Sequence, residues 1–200
     1  MSRPSRWTGL SRDDRQAERK RLLVRAAFEL FAEGGESAVT VRSVCRHSAL
    51  NSRYFYENFT DTDELLGAVY DDVVADLVEA LTSAMADQGD DRARLRAGIK
   101  TVLGFSSADP GRGRILFTEA RTNAVLSARR AAVQEQLQKS VIQDRRESRT
   151  AQVQELVGAA MYVGAMAELA QQWLSGTLGT DLDTVVETAV KVLMPQGIDA

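Results

Sequence analysis

The chain has one cysteine, one histidine and three prolines in 200 residues. A single cysteine, Cys45, excludes an internal disulfide framework and a cysteine-based zinc site. A single histidine, His47, leaves little room for a serine–histidine–acid triad or a histidine-rich metal centre. No apolar run approaches the ~20 residues that span a bilayer. The N-terminal stretch MSRPSRWTGLSRDDRQAERKR lacks the apolar core of a secretory signal, so the expected location is the cytoplasm, with no membrane partner. The glycines of DPGRGR, 109 to 114, lack the lysine–serine ending of a phosphate loop. No enzyme, metal site or cofactor is therefore expected.

What is present is helical. Apolar residues make up 44% of the chain, enough for a packed core, and few segments alternate as strands do. Leu23, Ala26, Ala27, Leu30 and Phe31 form a stripe of helical period over 13 to 34, closed by Gly34-Gly35. Thr40 is a good N-cap for a second helix whose Val41, Val44, Cys45 and Ser48 share one face. Asn51 can cap a third after a very short connection, and Thr60 or Asp61 a fourth running to about Met85. Further helices are expected at 92 to 107, 115 to 120, 123 to 144, 150 to 175 and 181 to 193, with Thr180 or Asp181 capping the last and a break at DPGRGR.

Charge is uneven along the chain. The net value is −3, yet residues 1 to 60 carry 11 basic against 7 acidic groups, and the remainder 14 against 21. A basic N-terminal third on an acidic body suits a protein that meets a polyanion at one end only, although a solvated charged tail would look the same. The aromatics are concentrated too: LNSRYFYENF, 50 to 59, holds two tyrosines and two phenylalanines where the chain average is 6%. Phe55 and Phe59 are four apart and belong to a core, whereas Tyr54 and Tyr56 fall on other sides and can meet phosphate, sugar or a thymine methyl.

Three closely spaced helices, the second and third joined by a tight turn, make a helix-turn-helix. With RAAFELFAEGG before it, TVRSVCRHSALNSRYFYENFTDTDELLGAVY resembles the DNA-binding domain of the TetR family of bacterial transcriptional regulators over residues 20 to 70. The resemblance implies an all-α chain with an N-terminal three-helix DNA-binding domain and basic arm (1–60), a linking helix (61–86) and a C-terminal ligand-binding and dimerisation domain (87–200). It implies phosphate contacts from Thr40, Arg42 and Tyr56 and a recognition helix presenting Ser52, Arg53 and Tyr54 to double-stranded operator DNA; the N-terminus of that helix, with the small polar groups of Asn51 and Ser52, is itself a natural phosphate seat. Two positions depart from the family pattern. Ala49 stands where glycine is usual in the turn, so the backbone there either avoids the left-handed region or accepts strain. Thr62 stands where a lysine often approaches a phosphate, and Arg3, Arg6, Arg12, Arg15 and Arg19 are candidates to compensate.

In the C-terminal part, Phe105, Phe117, Met161, Tyr162, Met166 and Trp173 are candidates to line a cavity for a small-molecule effector of unknown identity, although each is also ordinary core material. The family resemblance assigns residues 150–194 to a homodimer interface, where Gly158, Ala159, Ala160, Gly164, Ala165 and Ala167 would permit close helix approach. The function expected is a ligand-responsive repressor binding a palindromic operator. The alternative is a dimeric small-molecule-binding protein with weak or lost DNA binding.

Overall fold

The computed structural model describes residues 11–119, 123–143 and 149–194. Among them the regular structure is all-helical. The chain divides into two compact units at Val69/Tyr70, a boundary that falls inside α4 (Thr62–Ala86), the helix expected to link two domains.

In the first unit, α1 (Arg12–Gly34) opens on a reciprocal cap: the Asp14 amide donates to Ser11 Oγ at 3.0 Å, and the Ser11 amide to Asp14 Oδ2 at 3.2 Å. Its buried residues, Leu23, Val24, Ala26, Ala27 and Phe31, form the stripe legible in the sequence. The two glycines that close α1 are needed for different reasons. A Cβ on Gly34 would stand 2.7 Å from Ala38 Cβ, and Gly35 has φ 68°, where a side chain is strained.

A short 3-10 turn (Glu36–Ala38) leads to α2 (Val41–Ser48), capped by Thr40, whose Oγ1 accepts from the Ser43 amide at 3.1 Å. The expected shared apolar face of α2 narrows to one fully buried residue, Val44; Val41, Cys45 and Ser48 are half-buried. The helix ends at Ala49, which adopts the left-handed conformation at φ 56° and ψ 31°. That residue accepts the strain, and the turn gains a Leu50 amide to Cys45 carbonyl bond of 3.0 Å.

With five residues, α3 (Ser52–Tyr56) is too short to hold itself together. Asn51 Oδ1 caps it at the Tyr54 amide at 3.1 Å, and Asn58 Nδ2 donates to the Tyr54 carbonyl at 2.7 Å. Phe55, fully buried, anchors it and contributes about 1.5–3 kcal/mol by burial. Both candidate residues organise the entry to α4. Asp61 Oδ1 accepts from the Glu64 amide at 2.8 Å, and Glu64 Oε2 accepts from the Thr60 amide at 2.7 Å.

In the second unit, α5 (Asp91–Ala108) packs against α8 (Arg149–Leu174) and α9 (Leu182–Leu193), around Ile99, Leu103, Met166, Ala170, Val186 and Val190. Arg96 forks onto both oxygens of Glu187, and Lys100 reaches Asp183 at 2.8 Å, so ion pairs border the α5–α9 seam. Asp181 caps α9 at the Thr184 amide at 3.1 Å.

DPGRGR is a bend where a break was expected. Asp109 caps a single turn, α6 (Pro110–Gly113), and the chain continues through a wide π turn (Arg114–Thr118). Proline at the first helical position sacrifices no hydrogen bond, which is why the helix restarts there. Gly113 lies where a Cβ would stand 2.7 Å from Leu174 Cδ1. After it, α7 (Ala124–Gln143) packs on α8 and opens on the buried Asn123, whose Oδ1 accepts from the Leu126 amide at 2.9 Å.

Candidate nucleic-acid interface and ligand cavity

The third helix separates its anchor from its surface. Phe55 and Phe59 are buried, with ring centroids 6.0 Å apart, while Ser52 and Arg53 are exposed and Tyr56 is 61% exposed. Tyr56 stands edge-on to Phe55 at 5.3 Å, so its ring is braced while its hydroxyl reaches outward. Tyr54 is half-buried because the Arg19 guanidinium of α1 lies over its ring, 4.7 Å from the centroid.

Arg19 also approaches Glu57 Oε2 at 3.8 Å, and its Nε is buried without a partner among the described residues. It was a candidate for the basic arm but is a packing residue inside the first unit. Arg12 and Arg15 are likewise helical, in the opening turn and a half of α1, and Arg3 and Arg6 lie outside the described residues. Thr40 and Arg42 are both exposed at the start of α2, and Thr62 is half-buried as the first residue of α4. Asn51 is exposed but its side chain is committed to the cap.

His47 lies on the surface, its Nε2 2.7 Å from Glu29 Oε2. Glu29 also accepts from Arg25 Nε at 2.9 Å, and these two bonds, Arg25 first, hold its carboxyl below the ordinary 4.5. Burial pushes the Cys45 thiol up, as befits a packing residue. Among the described residues no cluster of three metal-ligating side chains occurs, and no helix is long and apolar enough to cross a membrane.

In the second unit, a cavity of about 230 Å³ is walled by α4, α5, the π turn, α7 and α8. Val74, Leu77, Leu81, Val102, Phe117 and Met166 make its lining largely apolar. Three of the six residues expected there, Phe117, Tyr162 and Met166, do line it. The other three do not. Phe105 stacks under the Arg112 guanidinium at 4.4 Å, Met161 is 70% exposed, and Trp173 Nε1 donates to Ser107 Oγ at 2.5 Å. Large apolar residues on α8 look alike in sequence, and only the helix's rotation decides which face the cavity. Tyr162 is partly exposed, yet its hydroxyl turns inward to 3.5 Å from where a Gly98 Cβ would stand, and burial pushes its phenol up.

Sequence reasoning missed the cavity's polar members: Tyr70, Arg130 and Gln134. Tyr70 reads as one more apolar position of α4, and a lone arginine on a charged helix carries no signal. A second hollow, an apolar groove of about 410 Å³, lies between α8 and α9 and includes Ala165, Leu169, Leu178, Val185 and Val192. Val192 there is 72% exposed.

An exposed, side-chain-capped third helix following a tight turn is the arrangement of a helix-turn-helix. Residues 23–69 match the family model described as bacterial regulatory proteins, tetR family. The activator FasR of Mycolicibacterium smegmatis is 25% identical over 188 residues, 93% of this chain and 84% of that protein. The regulator BetI of Stenotrophomonas maltophilia is 36% identical over 80 residues, 40% of this chain and 41% of that protein. Among solved structures, the fatty acid degradation regulator FadR of Bacillus halodurans superposes with a TM-score of 0.68 at 16% identity, covering 90% of this chain and 96% of that one. FadR of Bacillus subtilis in complex with stearoyl-CoA gives 0.68 at 14% identity, covering 88% and 97%. AibR in complex with isovaleryl coenzyme A and operator DNA gives 0.59 at 17%, covering 90% and 100%. These structural likenesses establish the fold. Residues 23–69 thus carry a DNA-binding domain of the tetR type, and the chain as a whole shares the fold of these regulators.

Proposed function

We propose that the protein is a ligand-responsive repressor that binds a palindromic operator as a homodimer. The observation that carries the reading is the apolar cavity of the second unit, lined from Tyr70 to Leu81 by the same helix, α4, whose first residues belong to the DNA-binding unit. An effector that occupies the cavity in only one dimer form shifts the population toward that form. A coupling of ~1–3 kcal/mol is the usual scale, and it arises only from differential affinity. The dimer would join through the α8–α9 groove and set two α3 helices at half-sites about 34–36 Å apart or a multiple of that spacing.

Thr40, Arg42 and Tyr56 are assigned to phosphates, and Ser52, Arg53 and Tyr54 to the major groove, with Asn51 as the cap that orients them. The effector class is an acyl compound. Support comes from the apolar lining together with the stearoyl-CoA and isovaleryl coenzyme A carried by the FadR and AibR structures. The test is selection of bound duplexes from a random pool at fixed salt, because phosphate contacts make affinity salt-dependent. One enriched palindrome supports a specific dimeric regulator and supplies the probe for an effector screen. A second reading, a dimeric small-molecule-binding protein with weak or lost DNA binding, draws on strained Ala49 and on Thr62 in place of a lysine. An intact dimer that enriches no sequence would favour it.

A further inference from the structure

The cavity is chemically lopsided. Arg130 and Gln134 lie four apart on α7, hence on one face, and both border the cavity. Tyr70 of α4 joins them: its hydroxyl feels the Arg130 charge, and burial pushes its phenol up to about 12, so it stays protonated and able to donate. The neighbouring Arg129 is neutralised by Asp71 at 2.9 Å, and Asp76 stands 3.6 Å from Arg112. Arg130 has no carboxylate within ion-pair distance among the described residues, and neither it nor Tyr70 has a hydrogen-bond partner there.

A half-buried guanidinium facing an aliphatic wall is poorly solvated and gains most from an anion that brings its own apolar body. The lining supplies room for that body. From Tyr70 to Leu81 the lining follows α4 for about 16 Å at ~1.5 Å per residue, a length that can accompany one extended chain.

We propose that Tyr70, Arg130 and Gln134 form the head-group pole of the cavity, selecting a single-chain acyl ligand with an anionic or strongly hydrogen-bond-accepting end. The inference rests on the cavity being an effector site and adds which end of the ligand goes where. A free carboxylate and a thioester carbonyl both accept hydrogen bonds from Arg130 and Tyr70, and the carboxylate adds a charge opposite to that of Arg130.

The experiment is calorimetric titration of the full-length protein, below micelle-forming concentrations, with dodecanoate, dodecanoyl-coenzyme A and dodecanol. It is repeated on Arg130→Met and Arg130→Lys. The expected result is that the acid or the thioester binds the wild type about tenfold or more tightly than the alcohol. Arg130→Met should remove that preference while leaving dodecanol unchanged, and Arg130→Lys should keep part of it. Preference for the acid identifies free fatty acid as the source, and preference for the thioester identifies the coenzyme ester. Equal binding of all three by the wild type overturns the head-group assignment while the cavity reading stands. Binding of none overturns both. Should Arg130→Met fail to fold, the wild-type ratio and Arg130→Lys decide the matter.

Discussion

Arg53 in the first turn of α3 and Glu57 just past its end, four residues apart, are joined by an Nε–Oε1 contact of 3.0 Å. The Arg53 side chain is 83% exposed, so the pair is a weak surface contact that a DNA ligand can displace. It engages Nε and leaves the two terminal nitrogens free, the pair that meets the O6 and N7 of a guanine. Arg53→Ala is therefore expected to cost ~1–3 kcal/mol of operator affinity and to relax preference at one base pair. Tyr56→Phe should weaken binding to all sequences alike. Duplex selection with each variant checks this, and equal sequence-independent losses from both would reject base reading by Arg53.

The left-handed Ala49 stores strain that glycine would not. Ala49→Gly relieves roughly 1–2 kcal/mol in the folded state and returns about half of it as unfolded-chain entropy. The expected net gain is about 0.5–1 kcal/mol, read by urea unfolding. A loss of stability would mean that the Ala49 methyl makes a contact outweighing its strain.

Glu29 ties α1 to α2 through His47 and is depressed by its bonds to Arg25 and His47. A carboxyl lowered in the folded state contributes stability above its unfolded value of 4.5 and loses it as pH falls through the folded value. Wild type and Glu29→Gln should thus differ most near neutrality and converge in acid. A gap that stayed constant from neutral to strongly acidic pH would show that the carboxylate charge is not what the pairing uses.

Met161 and Val192 are 70% and 72% exposed, on α8 and α9. Large apolar side chains left this open are expected to be covered by a second copy. The double variant Met161→Asp, Val192→Asp should sediment as a folded monomer with unchanged helical content and greatly weakened operator binding. Persistence of the dimer would place the interface on another face.

Legibility followed locality. Caps are written in adjacent residues, so Thr40, Asn51, Asn123 and Asp181 could be read off as helix starts, and the separation of Phe55 from Tyr56 followed from spacing alone. The cavity is assembled from five segments, and Met161 and Tyr162, adjacent in sequence, have different surroundings there. Arg19 shows the same limit: its basic neighbours suggest a polyanion, whereas its place is settled by the Tyr54 ring on another helix.

In α3, Phe55 is the one buried member of five, and the cap that starts the helix belongs to Asn51 just outside it. The residues that hold the helix are thus not the exposed ones proposed to meet DNA. With Ser52 and Arg53 in the proposed base-reading role, lineages descending from such a chain could drift at those two positions toward new operators while Asn51 and Phe55 hold the helix. An engineer could retarget the regulator by recoding those positions while leaving Asn51 and Phe55 untouched.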